Sequence, residues 1–250
     1  MIPLSDPDAI SHSRPYVNIM IIGINTLMFL YEISMGSLES TVLFFRLGLI
    51  PAEILGGEEV GLRTFIFNDT YRTIDLSSPF GPWVTILSSM FLHAGFMHFI
   101  SNMIYLWVFG DNIEDRLGHA GYILFYILCG AIAAWTHVLF NTNSQTPLIG
   151  ASGAIAGVLG AYLLLYPYSK INTLAIFIFI TVIKIRAIYL LSFWFILQFF
   201  KGLGAIGFEN AGVAYWAHVG GFISGALIIM IYLKLRGEHI RPWHRPSVIY

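Results

Sequence analysis

Long apolar stretches separated by short polar breaks dominate the chain. The first runs from Tyr16 to Met35, interrupted late by Glu32, with Pro15 placed where a helix can start. From Gly36 to about Gly81 the pattern is mixed, with Glu39, Glu53, Glu58, Glu59, Asp69 and Asp75 set among apolar residues, and Pro82 to His93 is apolar again. This reads as a long loop partly embedded in a membrane interface. A second span covers roughly Gly95 to Phe109, ended by the cluster from Gly110 to Arg116, and a third covers Gly121 to Phe140. After the polar link NTNSQTP (141–147), a fourth runs from about Gly150 to Tyr166 and stops at Pro167. Residues 171–200 are apolar apart from Lys184 and Arg186, which predicts a dipping segment and then a fifth span from about Ala187 to Phe200. A sixth covers Ala211 to Leu233, before a basic tail.

A spanning helix needs about 20 apolar residues, so six spans nearly exhaust 250 residues. The expected fold is an all-α membrane protein, a six-transmembrane-helix bundle with a long first loop, forming a single domain over 1–250. Residues 1–15 and 234–250 are its tails and 36–94 its outer loop. Composition agrees: 57% hydrophobic residues, 11% charged residues and a mean hydropathy of +0.74 exceed what a soluble fold can hide. Lipid is therefore the expected environment. Net charge is −1 with no basic stripe, which argues against a nucleic-acid partner. Cys129, the single cysteine, allows no internal disulfide or thiolate metal cluster, and no cofactor is expected. The N-terminus lacks the basic region and cleavage site of a signal peptide, so it is expected to stay attached.

Lysine and arginine favour cytoplasmic loops. Arg14, Arg116, Lys170, Lys184, Arg186, Lys234, Arg236, Arg241 and Arg245 fall on one side, and Arg46, Arg63, Arg72 and Lys201 on the other. Both termini are thus expected in the cytoplasm, with the starts of the second, fourth and sixth spans at the outer face. The basic tail reads as a topology determinant with some attraction for anionic lipid.

Polar side chains inside hydrocarbon are costly, so each is a candidate for function. Three groups qualify near those outer ends: His98 with Asn102, Ser152 in GASG, and His218 in AHVGG. A serine hydroxyl becomes nucleophilic only when a base within hydrogen-bond reach takes its proton. His218 is the natural base for Ser152, 66 residues away, provided the fourth and sixth helices pack closely. Gly153 and Gly157 on one helix, and Gly221 and Gly225 on the other, are spaced for such an approach. His98 and Asn102 share a helical face and could join the Ser152 backbone N–H in stabilising an oxyanion. No Asp or Glu occurs between Asp115 and Glu209. A Ser-His dyad is expected, with Glu209 or a folded-back loop carboxylate as the alternative third member.

These residues resemble the bacterial-type six-helix rhomboids, a family of intramembrane serine proteases. HAGFMHFISNM from His93 is similar to the family's second-helix motif, PLIGASGAIAGVLGAY to its serine motif and AHVGGFISG to its histidine motif. The resemblance implies Ser152 as nucleophile and His218 as base. It also implies His98, Asn102 and the Ser152 amide as oxyanion contacts, His93 near the water entrance, and a first loop lying partly in the outer leaflet. The expected location is the inner membrane of a bacterial or archaeal cell. Two positions depart from the pattern: Ala156 stands where some members have an aromatic four residues after the serine, and Thr85 where an arginine often follows the loop tryptophan, here Trp83.

The expected reaction is endopeptidase cleavage in or near transmembrane segments of membrane protein substrates. Oligomeric state stays open. Blander readings exist: GASG alone is a packing motif, and a lone membrane histidine can be a helix contact. His12, His119, His239 and His244 read as tail or turn residues and His137 as an interfacial contact. There is no HExxH, and His93 and His98, five apart, would not share a helical face, so no metal site is expected. The alternatives in other classes are a catalytically silent rhomboid-like client-binding protein and a transporter relaying protons through His98 and His218.

Overall fold

The computed structural model describes residues 1–9, 11–56, 61–67, 70–176, 180–205 and 213–238. Glu58, Glu59, Asp69, Glu209, His239, Arg241, His244 and Arg245, all used above, lie outside them. In chain order come β1 (Ile2–Ser5), α1 (Tyr16–Ser34), α2 (Ser37–Leu47), α3 (Pro51–Ile54), β2 (Leu62–Phe67), β3 (Thr70–Asp75) and α4 (Thr85–Ser88). A 3-10 turn (Ser89–Phe91) follows, then α5 (Phe96–Phe140), α6 (Ser152–Leu165), β4 (Lys170–Ile176), β5 (Ile180–Arg186), α7 (Ala187–Ala205) and α8 (Tyr215–Leu235).

Four helices, α1, α5, α7 and α8, are long and apolar enough to cross a membrane, and α6 is shorter at 14 residues. α5 is bent at Gly118, whose φ of 72° and ψ of 165° interrupt the helix and divide it into two arms. The buried residues of α1 are Asn18, Ile21, Asn25, Phe29 and Glu32, a single helical stripe holding three polar side chains. Its exposed face carries Leu27, Leu30, Tyr31 and Ile33. A helix that hides its polar residues and exposes its apolar ones is matched to hydrocarbon, not water.

Three expectations are corrected. The cluster from Gly110 to Arg116 does not end the second span; the helix runs through it to the bend. Burial of its polar groups is compensated: the Glu114 carboxylate accepts the backbone N–H groups of Val17 (2.9 Å) and Asn18 (2.7 Å), filling the orphan donors at the start of α1. The dipping segment departs from the all-α expectation: Lys170–Ile176 and Ile180–Arg186 form the antiparallel pair β4–β5, as the β-branched residues of ITVIKIR permit. Nor are residues 1–15 only a tail, because β1 pairs with β4 to complete a three-stranded sheet.

Asp6 follows β1 and anchors this N-terminal strap. Its Oδ2 accepts hydrogen bonds from Asn112 Nδ2 and Tyr162 Oη, each at 2.8 Å. Burial pushes its carboxyl up to about 7, with the Tyr162 bond opposing that rise. A folded-state value above the unfolded one means that the protonated form stabilises the strap fully below about pH 4, and that this contribution is lost as pH rises through about 7. Limited proteolysis of residues 1–15 should therefore speed up as pH rises from about 5 to about 7 and level off above that. In Asp6→Asn that pH dependence should disappear.

The connection between α1 and α5 is tied to the segment that carries Ser152. Leu49 and Leu148 exchange backbone hydrogen bonds at 3.0 and 2.7 Å, Ala52 N–H donates to the Ser144 carbonyl, and Gly150 N–H donates to the Ser89 carbonyl at 2.8 Å. Arg63 reaches the Gln145 side chain at 2.6 Å. At the Thr85 departure, the hydroxyl donates to the Pro82 carbonyl at 2.6 Å while Trp83 packs on Trp135, so the loop has other anchors.

Candidate active site

Ser152 is the first residue of α6 and His218 lies in the first turn of α8. The two helices meet through glycines. A Cβ on Gly221 would strike the Gly153 carbonyl oxygen, and one on Gly225 the Gly157 carbonyl oxygen. On their other side Gly153 and Gly157 face Ala133 and Cys129 of α5. Backbone-to-backbone contact of this kind puts Ser152 and His218 at one depth. His218 Nε2 stands 2.7 Å from Ser152 Oγ, a hydrogen-bond distance.

Immediately before Ser152, Gly150 has φ of 122°, a left-handed conformation that side chains rarely adopt. A Cβ there would also lie 2.6 Å from His98 Nε2. Glycine at 150 thus serves both the turn into α6 and the close approach of His98. The rings and amides of His98, Asn102, Ser152 and His218 line one cavity of about 660 Å³, whose walls include Ala156 and Leu159 of α6, Tyr105 of α5 and Trp194 of α7. Asn102 Nδ2 donates one bond to the His98 carbonyl at 2.9 Å, leaving its second N–H for another acceptor.

His93 stands behind His98. It precedes α5 rather than sitting on it, so the helical-face objection to the pair does not apply, and the two ring centroids are 5.1 Å apart. The His93 ring is buried with no hydrogen-bond partner for either nitrogen among the described residues, and its backbone N–H donates to the Glu32 carboxylate at 3.1 Å. His137 lies in the last turn of α5, where its carbonyl accepts from Asn141.

Two residues of α7 complete the surroundings of His218, and neither was selected from sequence. Gln198 Oε1 lies 3.0 Å from His218 Nδ1. The Trp194 ring lies against the imidazole with centroids 5.7 Å apart at 38°. The His218 ring thus has an aromatic neighbour from α7, while position 156 of α6 offers only a methyl group. The rule applied to the other spans, that a lone polar side chain in an apolar helix is a candidate, would have found Gln198.

The fold and this arrangement define a membrane-embedded helical bundle with a polar, serine-containing cavity. The rhomboid domain family model matches residues 81–235, more than half the chain, and the protein belongs to the rhomboid family. Its relatives include RHOMBOID-like protein 6, mitochondrial, of Arabidopsis thaliana, 31% identical over 148 residues covering 59% of this chain and 43% of that protein. Rhomboid protease GluP of Bacillus subtilis is 30% identical over 145 residues, 58% of this chain and 25% of that protein. Putative rhomboid protease YdcA of the same bacterium is 33% identical over 102 residues, 39% of this chain and 49% of that protein. The matched stretch thus spans less than half the length of each of these relatives. Relatives named as mitochondrial stand beside bacterial ones, so membership defines an integral membrane protein of a family that includes proteases, rather than one particular membrane.

Proposed function

We propose that the protein is an intramembrane serine endopeptidase that hydrolyses peptide bonds in or near the transmembrane segments of other membrane proteins. The observation that carries this reading is the 2.7 Å approach of His218 Nε2 to Ser152 Oγ inside a cavity shared with His98 and Asn102. In the reaction, His218 Nε2 takes the Ser152 hydroxyl proton as Oγ bonds to the scissile carbonyl carbon. The carbonyl oxygen becomes an oxyanion. His98, the free N–H of Asn102 and the Ser152 amide are its donors. Collapse breaks the C–N bond, and the imidazolium returns its proton to the departing amine. Water then attacks the acyl-Ser152 ester with His218 again as base, releasing the acid and restoring the hydroxyl.

The full reading divides α5 at Gly118 to give six spans, with both termini cytoplasmic and the cavity opening to the outer face. The excess of Lys and Arg on the terminal side supports this sidedness. A helical substrate protects its peptide groups by hydrogen bonds, so cleavage favours segments with glycine or other helix-weakening residues near the cut. The client-binding alternative has no use for a serine hydroxyl held on an imidazole nitrogen.

The test is purified protein in liposomes with a single-span substrate, the new N-terminus being mapped by mass spectrometry. Cleavage inside or beside the span supports the reading; an intact substrate across a panel of single-span proteins contradicts it. In the same assay, His98→Ala and Asn102→Ala should each lower kcat by about 10²-fold with KM little changed, the loss expected for one oxyanion donor.

A further inference from the structure

We propose that Gln198 is a positioning residue that fixes the tautomer of His218, so that the site works as an uncharged Ser152–His218–Gln198 relay. This rests on the protease reading above. A neutral imidazole carries one N–H, and a serine is activated only if that hydrogen is on Nδ1, leaving the Nε2 lone pair facing Oγ–H. A hydrogen-bond acceptor at Nδ1 selects that form. Gln198 Oε1 is such an acceptor, 3.0 Å from Nδ1, while Ser152 Oγ is 2.7 Å from Nε2.

The placement follows from α7 as a whole. Ala187, Leu191, Trp194, Gln198 and Gly202 recur at spacings of three and four and so lie on one face. Ala187 and Leu191 are buried at the start of that face, and at its far end Gly202 lets α7 approach the Trp216 ring, where an added Cβ would lie 3.3 Å from Trp216 Cε2. The helix is held at both ends with Gln198 directed at the imidazole between them. Trp194, one turn earlier, limits rotation of the same ring.

The neutrality of the carboxamide suits its surroundings. Among the described residues, the ionisable groups whose charge reaches His218 are His98 and His137, neither of them an acid. A carboxylate there would have to be buried in a hydrocarbon-facing bundle, where its desolvation is costly unless compensated. The carboxamide offers the same acceptor geometry without that cost. When His218 takes the Ser152 proton, both its N–H groups are then occupied, Nδ1–H by Gln198 and Nε2–H by the reacting oxygen.

The experiment compares wild type, Gln198→Leu and Gln198→Glu, reading the rate of fluorophosphonate labelling at Ser152, kcat and KM on a single-span substrate, thermal stability, and the ¹⁵N spectrum of labelled histidine in wild type. Gln198→Leu should slow both labelling and kcat by about 10- to 100-fold, less than the roughly 10⁴-fold loss known when a charged orienting acid is replaced, with KM within about twofold. Gln198→Glu, which retains the acceptor, should recover most of the loss at pH 8. The wild-type spectrum should show the His218 proton on Nδ1. Labelling of Gln198→Leu at the wild-type rate, or Gln198→Glu no faster than Gln198→Leu, overturns the role of Gln198 while leaving the protease reading intact. A wild-type proton on Nε2 overturns it even if the variants do not fold. Wild-type protein that does not label at Ser152 overturns both.

Discussion

Ser152→Ala and His218→Ala should each reduce cleavage of a single-span substrate by at least about 10³-fold, and Ser152→Ala should do so while leaving thermal stability within about 1 kcal/mol of wild type. The first half of this expectation follows from the division of labour between the two side chains. An oxygen nucleophile without its base, or a base without its nucleophile, loses the covalent route altogether, and members of such a unit are strongly non-additive. The double variant should therefore be no slower than either single one. The second half follows from packing. Among the described residues the Oγ of Ser152 makes one side-chain hydrogen bond, to His218, and the cavity that both line leaves room for water to take the place of the lost hydroxyl at His218 Nε2, which keeps the cost of Ser152→Ala small. Equal loss of activity in the presence of an unchanged melting curve separates chemistry from folding. A fall in stability of several kcal/mol in Ser152→Ala would assign the pair a structural role instead.

The second large effect belongs to the glycine interface that brings the pair together. Gly225→Ala places a methyl group against the Gly157 carbonyl oxygen, carbon and Cα of the facing helix, none of which is the movable end of a side chain. Overpacking of a close contact costs about 1–3 kcal/mol. Backbone on the opposing side puts this site at the top of that range, about 3 kcal/mol. Gly225 is two turns from His218 along α8, so any loss of activity would report the separation of α6 from α8 and not a direct contact with substrate. Gly23→Ala is the matching control: nothing lies within 4 Å of a Cβ there, and its effect should be neutral or slightly stabilising through better helix propensity. Thermal unfolding of the two variants in the same detergent checks both.

Much of this site could be read in the chain because the membrane makes polar residues conspicuous. Ser152, His218, His98 and Asn102 stand out against apolar neighbours, and the structure gathers all four around one cavity. The starts of α1 and α7, at Tyr16 and Ala187, coincide with where the apolar pattern places them. What escaped the sequence has identifiable physical causes. The charged cluster near Asp111 and Glu114 looks like a helix end because isolated charges cannot enter hydrocarbon, yet Glu114 is satisfied by backbone donors of a helix far away in sequence. The β4–β5 pair reads only as a dipping segment of an all-α fold because a run of Ile, Leu and Phe fits either periodicity, and pairing with β1 depends on a strand more than 160 residues upstream. Gln198 is legible as a lone polar side chain in an apolar span, whereas Trp194 is not, because its place beside His218 comes from the packing of α7 on α8 and an aromatic in an apolar span leaves no mark on local pattern.

The central claim is that Ser152 is a nucleophile activated by His218, and covalent trapping tests it most directly. Protein in liposomes is treated with a fluorophosphonate and digested, and the modified peptide is identified by mass. The account predicts one adduct, on Ser152, formed at a rate reduced at least about 10²-fold in His218→Ala and absent in Ser152→Ala. Labelling that persists unchanged in either variant, or an adduct on a different residue, would contradict it.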